Sequence, residues 1–240
     1  MTALPARDGC EMIIHTFPDT LAAARAAALR MAALAVAAVQ ARGRFTVALS
    51  GGHSPWRMLE ALAALDVPWS GVHVFQVDER VAPAGDPDRN ATHIAESLLS
   101  RAPIPPEQVH LMPVEAADLA AAAGRYAETL AGIAGTPPVL DLVHLGLGPD
   151  GHTASLVPGD PVLDVTDADV ALTGAYQSHR RMTLTYPALN RARRVLWLVT
   201  GDDKPAMLVR LRAGDPAIPA GRIRADQAEV FADAAAARDL

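Results

Sequence analysis

The chain alternates short apolar runs with segments of helical character, and this alternation limits the folds it can adopt. Apolar runs rich in Val, Ile and Leu are typical of buried strands, whereas the segments between them carry helix caps and helical periodicity. Such alternation favours a three-layer α/β/α architecture, in which helices cover both faces of a mainly parallel central sheet. The length of 240 residues predicts a single domain spanning residues 1–240.

Local signals predict several element boundaries. Asp19 is a candidate N-cap for a long helix that Gly43 would end. The apolar run "VHVFQV" predicts a strand that ends at Asp78, and Asn90 is a candidate cap for a helix that reaches Leu99. The segment "AEVFAD" predicts a last strand, followed by a C-terminal helix.

Composition excludes several classes of function. The net charge of −6 offers no basic surface for nucleic acid or for an anionic membrane, so neither partner is expected. The single cysteine, Cys10, cannot build a disulfide framework or a cysteine-based zinc site. No secretory signal pattern is found, and Arg25 and Arg30 interrupt the longest apolar stretch, which favours a buried amphipathic helix over a membrane span. We therefore expect a cytoplasmic protein.

Parallel sheets bind ligands beside the loops that follow their strands, and four such loops here are polar or rich in glycine. The first, "SGGHSP", contains Ser50, Gly51 and Gly52, where the backbone can turn tightly and expose N–H groups. Ser54 is a candidate N-cap and Pro55 a candidate first helical residue, so the helix dipole would also favour a phosphate or carboxylate here. The alternative is a tight turn with an ordinary cap.

Charged side chains occupy three further segments at strand ends. "VDER" supplies Asp78 and Arg80; the arginine would contact substrate oxygens, and the aspartate would make a polar contact or act as an acid or base. "HRRMTLT" supplies Arg180 and Arg181, and "TGDDKP" supplies Lys204. Cations beside a glycine-rich anion turn suit a phosphorylated substrate. The alternative for each is a solvated surface charge or a surface ion pair.

The segment "GLGPDGHTASL" contains G-x-G-x-x-G at Gly146, Gly148 and Gly151, the spacing of a dinucleotide-binding turn. That interpretation requires a full helix after the third glycine, but a proline follows within about two turns, so we reject it. An imidazole is well suited to take a proton from water near neutral pH. His152 is therefore a candidate general base, and Asp150 is placed to orient its ring.

The other histidines carry weaker signals. His144 lies inside an apolar strand and is interpreted as a core residue, and His53 as a turn residue that flanks a ligand. No pair of histidines has the helical spacing of a metal site. We expect neither a metal ion nor a cofactor.

Taken in order, these loops resemble the 6-phosphogluconolactonase family, whose wider group includes the glucosamine-6-phosphate deaminases. The family pattern runs S-G-G-x-[ST]-P, D-E-R, G-[ML]-G-x-D-G-H-T-A-S-L-F-P, R-x-T-[LM]-T and G-x-x-K. The chain matches it at Ser50–Pro55, Asp78–Arg80, Gly146–Pro158, Arg181–Thr185 and Gly201–Lys204, with Val157 in place of the family's Phe. Asn90 also matches the asparagine of an S-N pair that follows D-E-R in the family. The resemblance implies a three-layer α/β/α fold similar to that of glucosamine-6-phosphate deaminase and ribose-5-phosphate isomerase.

The same resemblance implies an activity. It is the hydrolysis of 6-phospho-D-glucono-1,5-lactone to 6-phospho-D-gluconate, the second step of the oxidative pentose phosphate pathway, without a cofactor. By matching positions, His152 is the base that activates water, and Arg80 contacts substrate oxygens. The phosphate is bound by the turn from Ser50 to Ser54, by Arg181 and by Lys204. The sequence is compatible with a monomer or a small homo-oligomer.

Two alternatives stay open at this point. The first is a glucosamine-6-phosphate deaminase or another sugar-phosphate isomerase. Val157 argues against it, because it stands where the deaminases, by resemblance, have a catalytic glutamate. The second is a sugar-phosphate sensor without catalytic activity, and the retention of Asp150, His152 and Arg80 argues against that.

Overall fold

Strands and helices alternate through residues 12–240, the part of the chain that the computed structural model describes; Cys10 lies outside it. The strands are β1 (Ile13–Phe17), β2 (Phe45–Leu49), β3 (Val72–Gln76), β4 (Asp78–Arg80), β5 (Leu142–Leu145), β6 (Val170–Leu172), β7 (Arg181–Leu184), β8 (Val195–Val199) and β9 (Ala228–Asp233). The α-helices are α1 (Thr20–Arg42), α2 (His53–Ala63), α3 (Asn90–Ile94), α4 (Leu119–Ala134), α5 (Tyr186–Arg191) and α6 (Pro205–Arg212).

Six strands form the central sheet in the order β1-β9-β8-β5-β2-β3, and every neighbouring pair is parallel. Side chains alternate between its faces, as a strand requires. In β8, Val195, Trp197 and Val199 join one apolar cluster, and Leu196 and Leu198 join the other. All five are buried because the sheet is covered on both sides. The predicted three-layer architecture with a parallel central sheet is confirmed.

Both predicted caps of the long helix α1 are confirmed. The side chain of Asp19 accepts a hydrogen bond from the Ala22 N–H at 2.8 Å, which satisfies one of the free donors at the helix start. Gly43 ends the helix with φ 73°, and its N–H donates to the Val39 carbonyl. Glycine suits this position because a left-handed backbone carries no Cβ penalty there.

By length and composition alone, α1 is the one helix among residues 12–240 that could cross a membrane, with 23 residues and a mean hydropathy of 1.6. Seven of its eight buried side chains are alanines, and the eighth is Met31. They belong to the apolar cluster that also includes side chains of α2 and of the central sheet. In this fold α1 is therefore a core helix that covers one face of the sheet.

A second, three-stranded antiparallel sheet, in the order β4-β7-β6, was not predicted from the sequence. The prediction that the third strand ends at Asp78 is wrong: β3 ends at Gln76, and Asp78 begins β4 in the other sheet. Val77 joins the two sheets, since its N–H donates to the Leu49 carbonyl and its carbonyl accepts from the Leu184 N–H. The carboxyl edge of the parallel sheet is thereby extended by antiparallel strands.

Buried Glu79 fixes the start of α3. Its carboxylate oxygens accept the backbone N–H groups of Asn90 and Ala91, both at 2.8 Å, and the Arg89 Nε lies 3.2 Å from Oε2. The prediction that Asn90 caps this helix is therefore wrong, because Asn90 is its first helical residue and Glu79 does the capping. A π-helical turn, Ala95–Leu99, continues α3 to the predicted end.

The predicted C-terminal helix is also wrong, since turns follow β9. Asp233, the last residue of β9, accepts the Ala236 N–H at 2.8 Å and the Gly201 N–H at 3.1 Å. These side-chain bonds compete with helical ones and favour a turn. They also attach the chain end to the loop after β8.

Candidate active site

A cavity of about 240 Å³ lies at the carboxyl edge of the parallel sheet, next to the antiparallel sheet. The loops after β2, β5 and β8 line it together with β4 and β7. Eight of the ten residues predicted for the site are among its lining: Ser50, Gly51, Gly52, Asp78, Arg80, His152, Arg181 and Lys204. The other two, Ser54 and Asp150, do not line it and are described below.

The glycine turn after β2 presents free backbone donors. The Ser50 N–H points inward and donates to Nδ1 of His144 at 3.3 Å. No acceptor within residues 12–240 takes the N–H of Gly51 or Gly52. Close packing also requires glycine here, because a Cβ on Gly51 would lie 1.9 Å from Oδ1 of Asn90. Two unpaired N–H groups beside a helix N-terminus form an anion-binding arrangement.

The prediction that Ser54 is the N-cap of the following helix is wrong. Helix α2 begins two residues earlier than expected, at His53, and Gly52 occupies the N-cap position without a side-chain hydrogen bond. The Ser54 hydroxyl is instead 2.6 Å from Oγ1 of Thr200, at the end of β8. Ser54 therefore connects α2 to the neighbouring strand and does not face the cavity.

Asp78 is buried and organises one wall of the cavity. Its carboxylate accepts the Ser155 hydroxyl at 2.6 Å and an amide N–H of Asn90 at 3.2 Å. Ser155 in turn is 3.5 Å from Nη1 of Arg181. A buried carboxylate that accepts hydrogen bonds from neighbouring side chains holds those side chains in place. The geometry therefore favours a positioning contact for Asp78 over an acid or base role.

Arg80 and Arg181 face the cavity from adjacent antiparallel strands, directly opposite each other in the register. The Nε atoms of both are buried and have no hydrogen-bond partner within residues 12–240. Burial lowers the pKa of Arg181, and the charge of Arg80 adds to this, whereas Asp78 opposes it. Arg181 is 3% exposed, whereas Arg180 is exposed to solvent, so Arg181 is the arginine of this pair that reaches the cavity.

Asp150 holds the ring of His152. Its Oδ1 lies 2.5 Å from Nδ1 of the ring, and it also accepts the His152 backbone N–H at 3.1 Å. Because a carboxylate can only accept, Nδ1 carries the proton and Nε2 of the neutral ring has a free lone pair. Burial alone would raise the pKa of Asp150, but the hydrogen bonds and charge of His152, with a hydrogen bond from Tyr176, bring it below its usual value.

Gly148 and Gly151 give the His152 ring its position. Gly151 has φ 82°, in the region that glycine adopts without strain. A Cβ on Gly148 would lie 2.1 Å from Nδ1 of His152, so any other residue there would displace the ring. The turn is closed by the Gly148 N–H, which donates to the His152 carbonyl at 2.8 Å.

Lys204 borders the cavity from the loop after β8. Its ammonium lies 2.6 Å from Oδ2 of Asp203, whose side chain is largely exposed. Because Asp203 lies largely in solvent, this ion pair contributes little stability and can give way to another anion. Lys204 is therefore available to an anion in the cavity.

His144 is a core residue, as predicted. It is fully buried on β5, beneath the glycine turn, and burial lowers its pKa to about 3. The neutral ring accepts the Ser50 N–H through Nδ1, so its proton is on Nε2.

Tyr176, Asn90 and Ser155 make contacts at the site but were not among the predicted site residues. Tyr176 donates to Oδ2 of Asp150 at 3.2 Å. Asn90 and Ser155 both bind the carboxylate of Asp78. Asn90 carried a signal as a helix cap, and Ser155 lies in the matched "GHTASL" block, but nothing in the pattern around Tyr176 marks it.

A wider groove, of about 630 Å³, lies at the opposite end of the strands. Its polar centre is buried Asp141, which binds Arg42 at 2.6 Å and Arg193 at 3.3 Å. Arg191 pairs with Asp169. These cations are already paired with carboxylates, and none of the predicted site residues lines this groove, so we place the candidate site at the carboxyl edge.

Comparison with known proteins shows which family the chain belongs to. The family model described as glucosamine-6-phosphate isomerases/6-phosphogluconolactonase matches residues 18–232. The chain is 43% identical over 171 residues to a 6-phosphogluconolactonase from Synechocystis sp., covering 70% of this chain and 71% of that one. It is 38% identical to a 6-phosphogluconolactonase from Nostoc sp., covering 85% and 88%.

Solved structures show the same fold. A 6-phosphogluconolactonase from Thermotoga maritima matches with a TM-score of 0.82 and 29% identity, over 92% of this chain and 98% of that one. A monomeric glucosamine-6-phosphate deaminase has a TM-score of 0.82 at 16% identity, over 95% of this chain and 100% of that one, and shows the fold alone. The chain belongs to the glucosamine-6-phosphate isomerase/6-phosphogluconolactonase family, and its curated relatives mark it as an enzyme on the lactonase side of that family.

Proposed function

We propose that the enzyme hydrolyses 6-phospho-D-glucono-1,5-lactone to 6-phospho-D-gluconate, with His152 as the general base that activates water. The observation that carries this proposal is the Asp150–His152 contact of 2.5 Å at the edge of an arginine-lined cavity. It fixes the tautomer in which Nε2 can accept a proton. The names of the relatives supply the substrate class.

The reaction needs little more than an oriented water. A lactone carbonyl is already electrophilic, so a base and charge stabilisation suffice. Nε2 of His152 takes a proton as water adds to C1, and the carbonyl oxygen becomes an oxyanion. The bond from C1 to the ring oxygen then breaks, and the protonated ring of His152 returns its proton to the leaving oxygen.

Different donors bind the two anionic groups, the oxyanion and the phosphate. Arg80, at the rim of the small sheet, is placed to stabilise the oxyanion. The free N–H groups of Gly51 and Gly52, with Arg181 and Lys204, form the phosphate site, since oriented N–H groups and cations together bind phosphate strongly. Holding the phosphate fixes C1 near the base, and this orientation contributes to rate.

The structure gives the deaminase alternative no support. Val157 is 8% exposed and apolar, so no carboxylate is available at this position for ring opening or amine chemistry. Assaying the enzyme with both the phosphorylated lactone and glucosamine 6-phosphate separates the two activities. We expect turnover with the lactone only, and ammonia release from the amino sugar would overturn the lactonase proposal.

The base is tested with His152→Ala. We expect lactone hydrolysis to fall to the spontaneous rate, measured through a coupled 6-phosphogluconate dehydrogenase, while 6-phosphogluconate still binds in calorimetry. His53→Ala is the matched control, because His53 is exposed on the same edge and does not line the cavity. Turnover in His152→Ala equal to that of the control would exclude His152 as the base.

The phosphate site is tested with Lys204→Ala. We expect KM for the phosphorylated lactone to rise about tenfold or more with a smaller change in kcat, because the lost contact acts equally on substrate and transition state. Unphosphorylated gluconolactone gives the control, since its KM should not change. A large loss of kcat at constant KM would contradict a role in phosphate binding.

A further inference from the structure

A short hairpin before β7 brings the side chain of Tyr176 into contact with the Asp150–His152 pair and with Arg181. In the hairpin, Tyr176 and His179 exchange backbone hydrogen bonds at 2.9 and 3.2 Å. The two residues at its tip, Gln177 and Ser178, have φ values of 50° and 70°. Two consecutive non-glycine residues in the left-handed region are unfavourable and are retained where surrounding contacts require them. The hairpin is thus held in a specific conformation.

The contacts of Tyr176 reach three groups at the cavity. Its hydroxyl donates to Oδ2 of Asp150 at 3.2 Å, the oxygen that His152 does not use. Its ring meets the His152 ring edge to face, with centroids 5.4 Å apart. The Arg181 guanidinium lies over the same ring, 5.1 Å from its centroid.

We infer that Tyr176 is a positioning residue that fixes Asp150, and through it the His152 ring, while its aromatic face holds the Arg181 guanidinium toward the cavity. This inference rests on the proposed function of His152 as the base. A carboxylate held through Oδ1 alone, by the ring and the backbone N–H of His152, could still rotate about its Cβ–Cγ bond. A second bond to the other oxygen removes that freedom, so the ring keeps the orientation in which Nε2 accepts a proton.

The aromatic face has a separate effect. A guanidinium over an aromatic ring is attracted to it electrostatically, and this attraction favours side-chain conformations that keep the guanidinium over the ring. Arg181 has further contacts within the hairpin, 3.3 Å to Oε1 of Gln177 and 3.5 Å to the Tyr176 carbonyl. The hydroxyl of Tyr176 therefore serves the base, and its ring serves substrate binding.

Two substitutions separate these effects. In Tyr176→Phe the ring stays and the hydroxyl is lost, so we expect kcat to fall about three- to tenfold with KM nearly unchanged, as for loss of one partly exposed hydrogen bond to a carboxylate. In Tyr176→Leu the ring is lost as well, and we expect KM to rise in addition. Tyr186→Phe is the matched control, because its hydroxyl donates to the Pro219 carbonyl at 3.0 Å, away from the cavity, and activity should not change.

A double-mutant cycle with Asp150→Asn tests whether the hydroxyl acts through Asp150. We expect Tyr176→Phe to have almost no further effect on kcat in the Asp150→Asn background, because the bond it removes is already altered. Equal effects in both backgrounds, or an unchanged kcat in Tyr176→Phe alone, would overturn the inference. The outcome for His152→Ala is independent: turnover there equal to that of His53→Ala overturns the base itself, whereas loss of turnover there with an inert Tyr176→Phe overturns only the role of Tyr176.

Discussion

Buried His144 makes the stability of the enzyme depend on pH in a way that can be calculated. Its pKa is lowered from 6.5 to about 3 by burial, so the folded protein keeps the ring neutral where the unfolded chain binds a proton. Below pH 6.5 the unfolded state therefore gains protons that the folded state does not, and stability falls as the pH falls. This loss continues until the pH approaches the folded value.

The magnitude follows from the two pKa values. Between them, one proton is taken up on unfolding, and stability falls by about 1.4 kcal/mol for each pH unit. Integrated from pH 7 to pH 5, the contribution of His144 amounts to about 2 kcal/mol. The free energy of unfolding of a domain is about 5–15 kcal/mol, so this is a substantial fraction of it.

The assay is urea unfolding at pH 7 and pH 5 for the wild type and for His144→Asn. Oδ1 of asparagine can replace Nδ1 as acceptor for the Ser50 N–H, but it does not titrate. We expect the variant to be less stable at pH 7, because it leaves a cavity, but to lose about 2 kcal/mol less than the wild type on going to pH 5.

The other histidines do not affect the difference between wild type and His144→Asn in pH-dependent stability. Burial lowers the pKa of His73 and of His110, so both also weaken the fold in acid, but they are present in wild type and variant alike and cancel in the difference. His53→Asn, at an exposed position, provides the matched control and should keep the wild-type pH dependence. If His144→Asn loses as much stability as the wild type between pH 7 and pH 5, the reasoning is refuted.

Two further predictions concern the site and its support. Gly148→Ala should lower kcat at least a hundredfold, because its Cβ would displace the His152 ring. Gly146→Ala is the control and should have a kcat near that of the wild type, since its Cβ would meet nothing within 4 Å. Equal kcat values for the two variants would contradict the close contact. Glu79→Gln should destabilise the fold by about 3 kcal/mol in thermal unfolding, because it removes the buried carboxylate partner of Arg89 and leaves only the exposed Glu115. A loss below about 1 kcal/mol would show that Glu115 alone suffices for Arg89.

The sequence predicted that the polar loops after the strands meet at one cavity because parallel strands end at one edge of the sheet. Once β2, β5 and β8 lie side by side, the loops after them must meet, whatever the details of their packing. The contact between Asp150 and His152 also followed from sequence, since residues two apart in a glycine turn are necessarily close. These inferences depend on short-range geometry and on one general property of α/β sheets.

The features that the sequence did not predict depend on contacts between segments far apart in the chain. Strand β4 has three residues, too few to show an alternating pattern, and it forms because β7 pairs with it about a hundred residues later. The sequence around Asn90 resembles a helix cap, but Glu79 on β4 caps the helix instead. The Asn90 side chain therefore hydrogen-bonds to Asp78. Tyr176 has no local pattern, because two of its side-chain partners, Asp150 and His152, lie in the distant loop after β5.

The register between β4 and β7 has a consequence for the free enzyme. Two like charges, Arg80 and Arg181, stand opposite each other on neighbouring strands, an arrangement that weakens a sheet. The two like charges repel each other at the candidate site, and an anion that enters the cavity would remove this repulsion. Anion binding and the pairing of β4 with β7 are therefore thermodynamically coupled. Product or inorganic phosphate should raise the melting temperature of the protein, and should do so most under conditions in which these two strands separate first.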